Sequence, residues 1–177
     1  MSWSRYSRAY LAEFVYGAID GTVTTFAIVS GVIGAGLSPV IVLVLGLANV
    51  LADGFSMATS NFLSERSRVA LAGSAGRSEA PFKTALITFL SFVSVGFVPL
   101  LPFIIAYAIG MPSSVQFGIS IALTSLSFIV IGSIRGHIAG KPVVRSSLET
   151  LLIGGLAALI AFAVGYFLRG VAAGASL

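Results

Sequence analysis

The chain has 177 residues, 57% of them hydrophobic and 9% charged, with a mean hydropathy of +1.05. Soluble domains carry about 25% charged residues, so this composition excludes an ordinary water-soluble protein and specifies an integral membrane protein. The net charge of +4 sits beside apolar segments, which fits membrane topology and argues against nucleic acid as a partner. The absence of cysteine excludes disulfides, thiolate metal sites, cysteine-ligated iron–sulfur clusters and CxxCH haem attachment.

A bilayer-spanning helix needs about 20 mostly apolar residues. Five segments qualify, roughly 13–36, 39–64, 83–107, 114–134 and 149–168. The expected fold is therefore all-α, a single five-helix transmembrane domain over residues 1–177. Arg5 and Arg8 precede an apolar run in the manner of a signal peptide. Glu13 and Asp20 interrupt that run and no small-residue cleavage pattern ends it, so it reads as mature protein. Gly36-Leu37-Ser38-Pro39 is a tight turn with Pro39 suited to the first turn of the second helix, which makes the first two helices an antiparallel hairpin. Residues 65–83 read as a polar loop, Gly110-Met111-Pro112 as a short link, and 135–148 as a second loop carrying His137 as a surface residue. Pro99 and Pro102 should kink the third helix, with Ser91 and Ser94 helping to satisfy the freed carbonyls. Gly17, Gly21, Gly31, Gly34, Gly154, Gly155 and Gly165 are expected at close helix contacts.

Orientation follows from the cations. Arg5, Arg8, Arg66, Arg68, Arg77, Lys83, Arg135, Lys141 and Arg145 fall on one side and only Arg169 on the other. Positive charge is retained in the cytoplasm. The N-terminus and both loops are therefore expected there, and the C-terminus outside or in a lumen.

Two carboxylates lie well inside the apolar runs, Asp20 in the first helix and Asp53 in the second. An ionised carboxylate in hydrocarbon costs several kcal/mol unless paired, hydrated or bound to a cation, which makes it a functional-site hypothesis. Asn49, Asp53, Met57 and Asn61 recur every fourth residue and so share one helix face. On the first helix, Asp20, Thr24 and Ala27 share a face that Gly31 continues. Amide oxygens, a carboxylate and a soft thioether suit a divalent first-row metal better than Mg²⁺ or Ca²⁺. Counted from the expected helix ends, Asp20 and Met57 each lie about 10 Å deep and Asp53 deeper, near 17 Å. The depths predict Asp20 level with Met57. Taken singly, each residue has a plainer reading: a hydrogen-bonding Asp, a packing Met, bridging amides. The combination at matched spacing points to a metal path.

The blocks DGTVTTFAIVSGVIGAG and GLANVLADGFSMATSNFLS closely resemble the vacuolar iron transporter family. The resemblance is dense over the first two helices, and the five-span layout matches along the whole chain. It implies a homodimer that exports Fe²⁺, often Mn²⁺, from the cytosol against inward proton flow, with the metal path at the dimer interface. The family's helix-1 Asp maps onto Asp20 and its helix-2 Met onto Met57. Plant-type members carry an acidic residue eight positions before that Met; here it is Asn49, while Asp53 supplies a carboxylate one turn nearer. Their long Glu-rich extension between helices 2 and 3 is missing, since the stretch from Glu65 to Lys83 holds only Glu65 and Glu79 as carboxylates. The chain thus resembles a compact, prokaryotic-type member, expected in a bacterial or archaeal plasma membrane, or in a vacuolar or other organelle membrane if eukaryotic.

The leading expectation is a metal/proton antiporter in which Asp20 and Asp53 bind the cation when ionised and release it when protonated, with lipid, metal ions and protons as partners. Asp20, Met57, Asp53 and Asn49 are the candidate metal ligands, and no resident cofactor is implied. Two alternatives stay open: a membrane scaffold or accessory subunit whose buried acids hold helices together, and a passive cation channel. No GxSxG elbow, phosphate loop or HExxH helix is present, so an enzyme is not expected.

Overall fold

The computed structural model describes residues 3–72 and 80–174. They form α1 (Trp3–Gly34), α2 (Pro39–Ala72), α3 (Pro81–Gly96), α4 (Leu101–Ile109), α5 (Ser113–Ala139) and α6 (Val143–Gly174). A 3-10 turn, Val98–Leu100, joins α3 to α4. Among the described residues five stretches are long and apolar enough to cross a bilayer: Tyr10–Gly34, Pro39–Leu71, Pro81–Ile109, Ser113–Ala139 and Val143–Val171. The protein is an all-α integral membrane protein, as its composition requires. Arg77 and Glu79 lie outside the described residues, as do the side chains of Arg5 and Arg8.

The hairpin of α1 and α2 forms as expected, with Pro39 as the first residue of α2. Gly36 turns the chain at φ +69°, a left-handed conformation that glycine adopts without steric cost. Two expected loops are largely helix. Residues 65–72 continue α2, and the link between α5 and α6 shrinks to Gly140–Pro142. The reason is local: ERSRVALA and VVRSSLE contain no Gly or Pro. Ion pairs one turn apart, Glu65 with Arg68 at 3.7 Å and Arg145 with Glu149 at 3.1 Å, support the extensions. Apolar composition marks where lipid ends; it does not mark where a helix ends.

The third span is broken at the expected prolines, but its repair differs from expectation. Ser91 Oγ donates to the Thr88 carbonyl of its own helix at 3.0 Å, and Ser94 is exposed. The Pro99 carbonyl instead accepts from Ser120 Oγ of α5 at 2.7 Å. A neighbouring helix satisfies the freed backbone group, a common way for membrane proteins to tolerate such breaks.

Span α1 is the axis of the bundle. It runs parallel to α3, with Gly17 against Thr88 and Ser91 and Gly21 against Phe92 and Gly96. Further along it runs parallel to α6, with Gly31 against Ala161 and Gly34 against Phe162. Glycine removes the side chain that would hold these backbones apart. Gly155 is the exception among the glycines singled out, since nothing lies within 4 Å of a Cβ built there. At the end away from the basic loops, a Cβ on Gly36 would lie 2.8 Å from Nε of Arg169. The lone cation of that end therefore sits on the α1–α2 turn.

Candidate functional site

The register between α1 and α2 decides what the intramembrane acids can do. Asn61 Nδ2 donates to the Glu13 carboxylate and, at 3.2 Å, to Thr88 Oγ1. The Thr88 hydroxyl is also 3.3 Å from the same Glu13 oxygen. This clamp sets Glu13 opposite Asn61. In an antiparallel pair, seven residues further along α1 meets seven residues back along α2, which places Asp20 level with Gly54. The packing agrees, because Gly21 and Gly54 both lie against Phe92.

Asp20 is therefore level with Asp53 and not with Met57, as depth counting had it. That count assumed helix ends at the edges of the apolar runs, whereas α1 begins at Trp3 and α2 continues to Ala72, extensions of unequal length. Met57 sits one turn nearer the basic end, half-buried. There it lines a cavity of about 480 Å³ with Glu13, Tyr16, Asn61, Glu65 and Arg68. Asp20 is half-buried and Asp53 exposed on the outer side of α2. Asn49 is half-buried, and its Nδ2 is a buried polar atom with no partner.

The four candidate residues thus fall into two tiers along one helix face. Nearest the basic end is the Met57 cavity. One turn deeper lie Asp53 and Asp20, and one turn beyond Asp53 lies Asn49. Among the described residues no three His, Asp or Glu side chains gather closely enough to hold a metal ion. A single chain offers a file of separate oxygen and sulfur donors in place of a closed coordination shell.

Sequence reasoning gave Glu13 and Glu65 no place in the site. Both line the cavity, and Oε2 of Glu65 is buried without a hydrogen-bond partner. The signals were present in the spacing. Glu13 precedes Asp20 by seven residues, two turns on the same face. Glu65 is the next member of the every-fourth-residue series that ends, in the sequence reading, at Asn61. Assigning residue 65 to a loop hid it.

A five-span helical membrane protein with acidic side chains inside its first two helices is the class these features define. The chain belongs to the VIT family, whose model matches residues 11–77 and 68–166. It is 24% identical over 228 residues to a vacuolar iron transporter of Toxoplasma gondii, an alignment covering 92% of this chain and 76% of that protein. Vacuolar iron transporter homolog 2 of Oryza sativa is 30% identical over 171 residues, 88% of each chain. A vacuolar iron transporter of Plasmodium falciparum is 41% identical over 54 residues, 30% of this chain and 20% of that protein. All three bear transporter names, in keeping with the expectation that the chain is not an enzyme.

Proposed function

We propose that this protein carries Fe²⁺, and Mn²⁺ by the same route, from the cytosol to the exterior or a lumen in exchange for protons. The observation that carries the reading is the level pairing of Asp20 with Asp53 inside the bilayer, one turn beyond a cavity at the basic end. The relatives' names supply the metal. A cation arriving from the cytosol meets Glu13, Glu65 and the Met57 thioether, then Asp53 and Asp20, with Asn49 beyond. Two carboxylates held at one level repel when both are ionised and near each other, and either a divalent ion or a proton relieves that repulsion. Metal and proton therefore compete for Asp20 and Asp53, which is the least coupling an antiporter needs.

The unit we propose is a homodimer. Asp53 is exposed on a span that would otherwise face lipid, where a bare carboxylate costs several kcal/mol. A second copy of α2 would cover it and double the number of ligands at a site one chain leaves open. A bacterial or archaeal plasma membrane suits so compact a chain, while the relatives' names point to a vacuolar membrane.

The test is Fe²⁺ and Mn²⁺ flux in proteoliposomes, with and without an imposed pH gradient. Antiport predicts gradient-dependent flux that falls at least tenfold, about 1.4 kcal/mol in barrier terms, in Asp20→Asn and in Asp53→Asn. Flux indifferent to the gradient would make the protein a passive channel. The scaffold reading has one observation in its favour, the Glu13–Asn61–Thr88 clamp between three helices. It predicts that the Asp20 and Asp53 variants lose assembly, and that the wild-type protein neither binds nor moves divalent ions.

A further inference from the structure

Away from the α1–α2 file, α2 and α3 leave a second opening on the outside of the bundle. It encloses about 470 Å³ and is lined by Phe55, Ala58, Thr59 and Phe62 of α2 and by Phe82, Ala85, Leu86 and Phe89 of α3. The two helices contribute at the same spacing, i, i+3, i+4 and i+7, which is one face of each. Small residues occupy the middle of the α2 set and phenylalanines its ends, so the faces part to leave a trough where larger side chains would have met. The one hydroxyl in it, on Thr59, already donates to the Phe55 carbonyl at 2.9 Å. Nothing in the lining asks for a polar ligand.

The end of the trough nearest the basic loops is different. The guanidinium of Arg66, one turn beyond Phe62, lies 5.8 Å from the centre of the Phe62 ring, which holds the charge over the trough. Lys83 follows Phe82 in the first turn of α3 and stands one turn before Leu86 and is exposed. Among the described residues the ion pairs engage Arg68, Arg135 and Arg145, and neither Arg66 nor Lys83 takes part. From Arg66 back to Phe55 is about 16 Å along α2 at 1.5 Å per residue. One leaflet of a hydrocarbon core about 30 Å thick has the same depth.

We propose that this trough is a binding site for an anionic phospholipid of the leaflet on the basic side, with one acyl chain between the phenylalanines and the headgroup phosphate held by Arg66 and Lys83. The charge at the mouth selects this occupant over a neutral lipid, and the one-leaflet length selects an acyl chain over a short apolar molecule. Basic pockets between membrane helices on the cytoplasmic side bind anionic headgroups for the same reason. The site is separate from the metal file, because it uses the opposite face of α2, and it stands whether or not the transport reading holds.

Native mass spectrometry of the purified full-length protein tests it, with phosphatidylglycerol and phosphatidylcholine of identical chains added in competition. Each cation near an anionic headgroup is worth roughly fivefold in affinity, so we expect a preference for phosphatidylglycerol of about thirtyfold from the pair. Arg66→Gln with Lys83→Gln should abolish the preference while leaving weak binding of both lipids. Ala58→Leu should fill the trough and weaken both; Thr59→Phe, at an exposed position, does the same should Ala58→Leu fail to fold. Equal retention of the two lipids by the wild-type protein would overturn the proposal. So would phosphatidylglycerol binding that survives the filling variants, which would mean surface charge alone. The chain has no native cysteine, so Leu86→Cys reports a third outcome cleanly: a disulfide between copies in the membrane would mean that a second chain, and no lipid, covers the trough.

Discussion

Replacing Asn61 tests the register on which the two-tier site depends. Asn61 Nδ2 donates to the Glu13 carboxylate and to Thr88 Oγ1, joining α1, α2 and α3 at one point. A hydrogen bond to a charged group contributes about 1.5–3 kcal/mol net in soluble proteins, and interhelical bonds in membranes average about 0.6 and reach about 1.7 kcal/mol. Thr88 remains 3.3 Å from Glu13 Oε2 when Asn61 is gone, so the carboxylate keeps a partner and the higher figures do not apply. Asn61→Ala should therefore cost about 1.5 kcal/mol, lowering Tm by roughly 3–6 °C for a chain of this size. Asn61→Asp is the sharper perturbation, because it sets a second carboxylate against Glu13. Two like charges 4 Å apart repel by about 4 kcal/mol at an effective dielectric of 20, more than the bond lost in Asn61→Ala. Protonation at low pH removes that repulsion and restores a donor, so the Asp variant should recover relative to wild type as pH falls from 7 to 4, and the Ala variant should not. Thermal unfolding in detergent at both pH values provides the comparison. If the two variants melt together at pH 7, or Asn61→Ala melts with wild type, Glu13 and Asn61 do not set the register.

Other perturbations separate packing from backbone conformation. A Cβ at Gly21 would lie 3.0 Å from the Phe92 Cα and closer still to its carbonyl oxygen. No flexible side chain can yield there, so Gly21→Leu should abolish the monodisperse folded species on size exclusion. Gly110 has φ +70° with nothing within 4 Å of a Cβ, so Gly110→Ala should cost only the left-handed strain, about 1–2 kcal/mol. Gly36 has nearly the same φ but faces Arg169; Gly36→Ala should cost more in thermal unfolding, and Arg169→Ala should erase the difference. Ser120→Ala removes the donor to the Pro99 carbonyl and should destabilise by about 1–3 kcal/mol, with hydrogen exchange rising first at the α3–α4 break.

Composition and apolar run length were enough to read the spans, and turn chemistry was enough to read the hairpin at Pro39 and the break at Pro99. Both are local properties of the chain. The extent of α2 was hidden because ERSRVALA is polar enough to look like a loop while containing nothing that stops a helix. That error propagated into the site. It truncated the series Asn49, Asp53, Met57, Asn61 one member before Glu65, while the depth scale that set Asp20 beside Met57 failed because α1 and α2 both outrun their apolar segments, by different lengths. The register itself could not be read from either helix alone. It is set between helices, by Glu13 bonding Asn61 and by Gly17 and Gly21 bringing α1 against α3.

The distribution of burial explains how α1 can carry acids inside the bilayer. In the least apolar of the five spans, that of α1, 56% of an 18-residue apolar stretch is buried, and in the most apolar, that of α6, 11%. In water the order would be the reverse. Lipid does not drive apolar side chains inward, so helices associate through small and polar residues that permit close approach. The interior accordingly holds Thr22, Thr25, Ser30, Thr88 and Ser91. Several of these hydroxyls bond to carbonyls of their own helix, Thr22 to Ala18 at 2.7 Å and Thr88 to Thr84 at 3.0 Å, and so add little desolvation cost. A helix that already packs through such surfaces can bear Glu13 and Asp20 where a leucine-rich helix like α6 would expose them to lipid. The placement of Glu13 and Asp20 follows from the packing, and the function proposed for the acids depends on α1 remaining the axis about which α2, α3 and α6 are held.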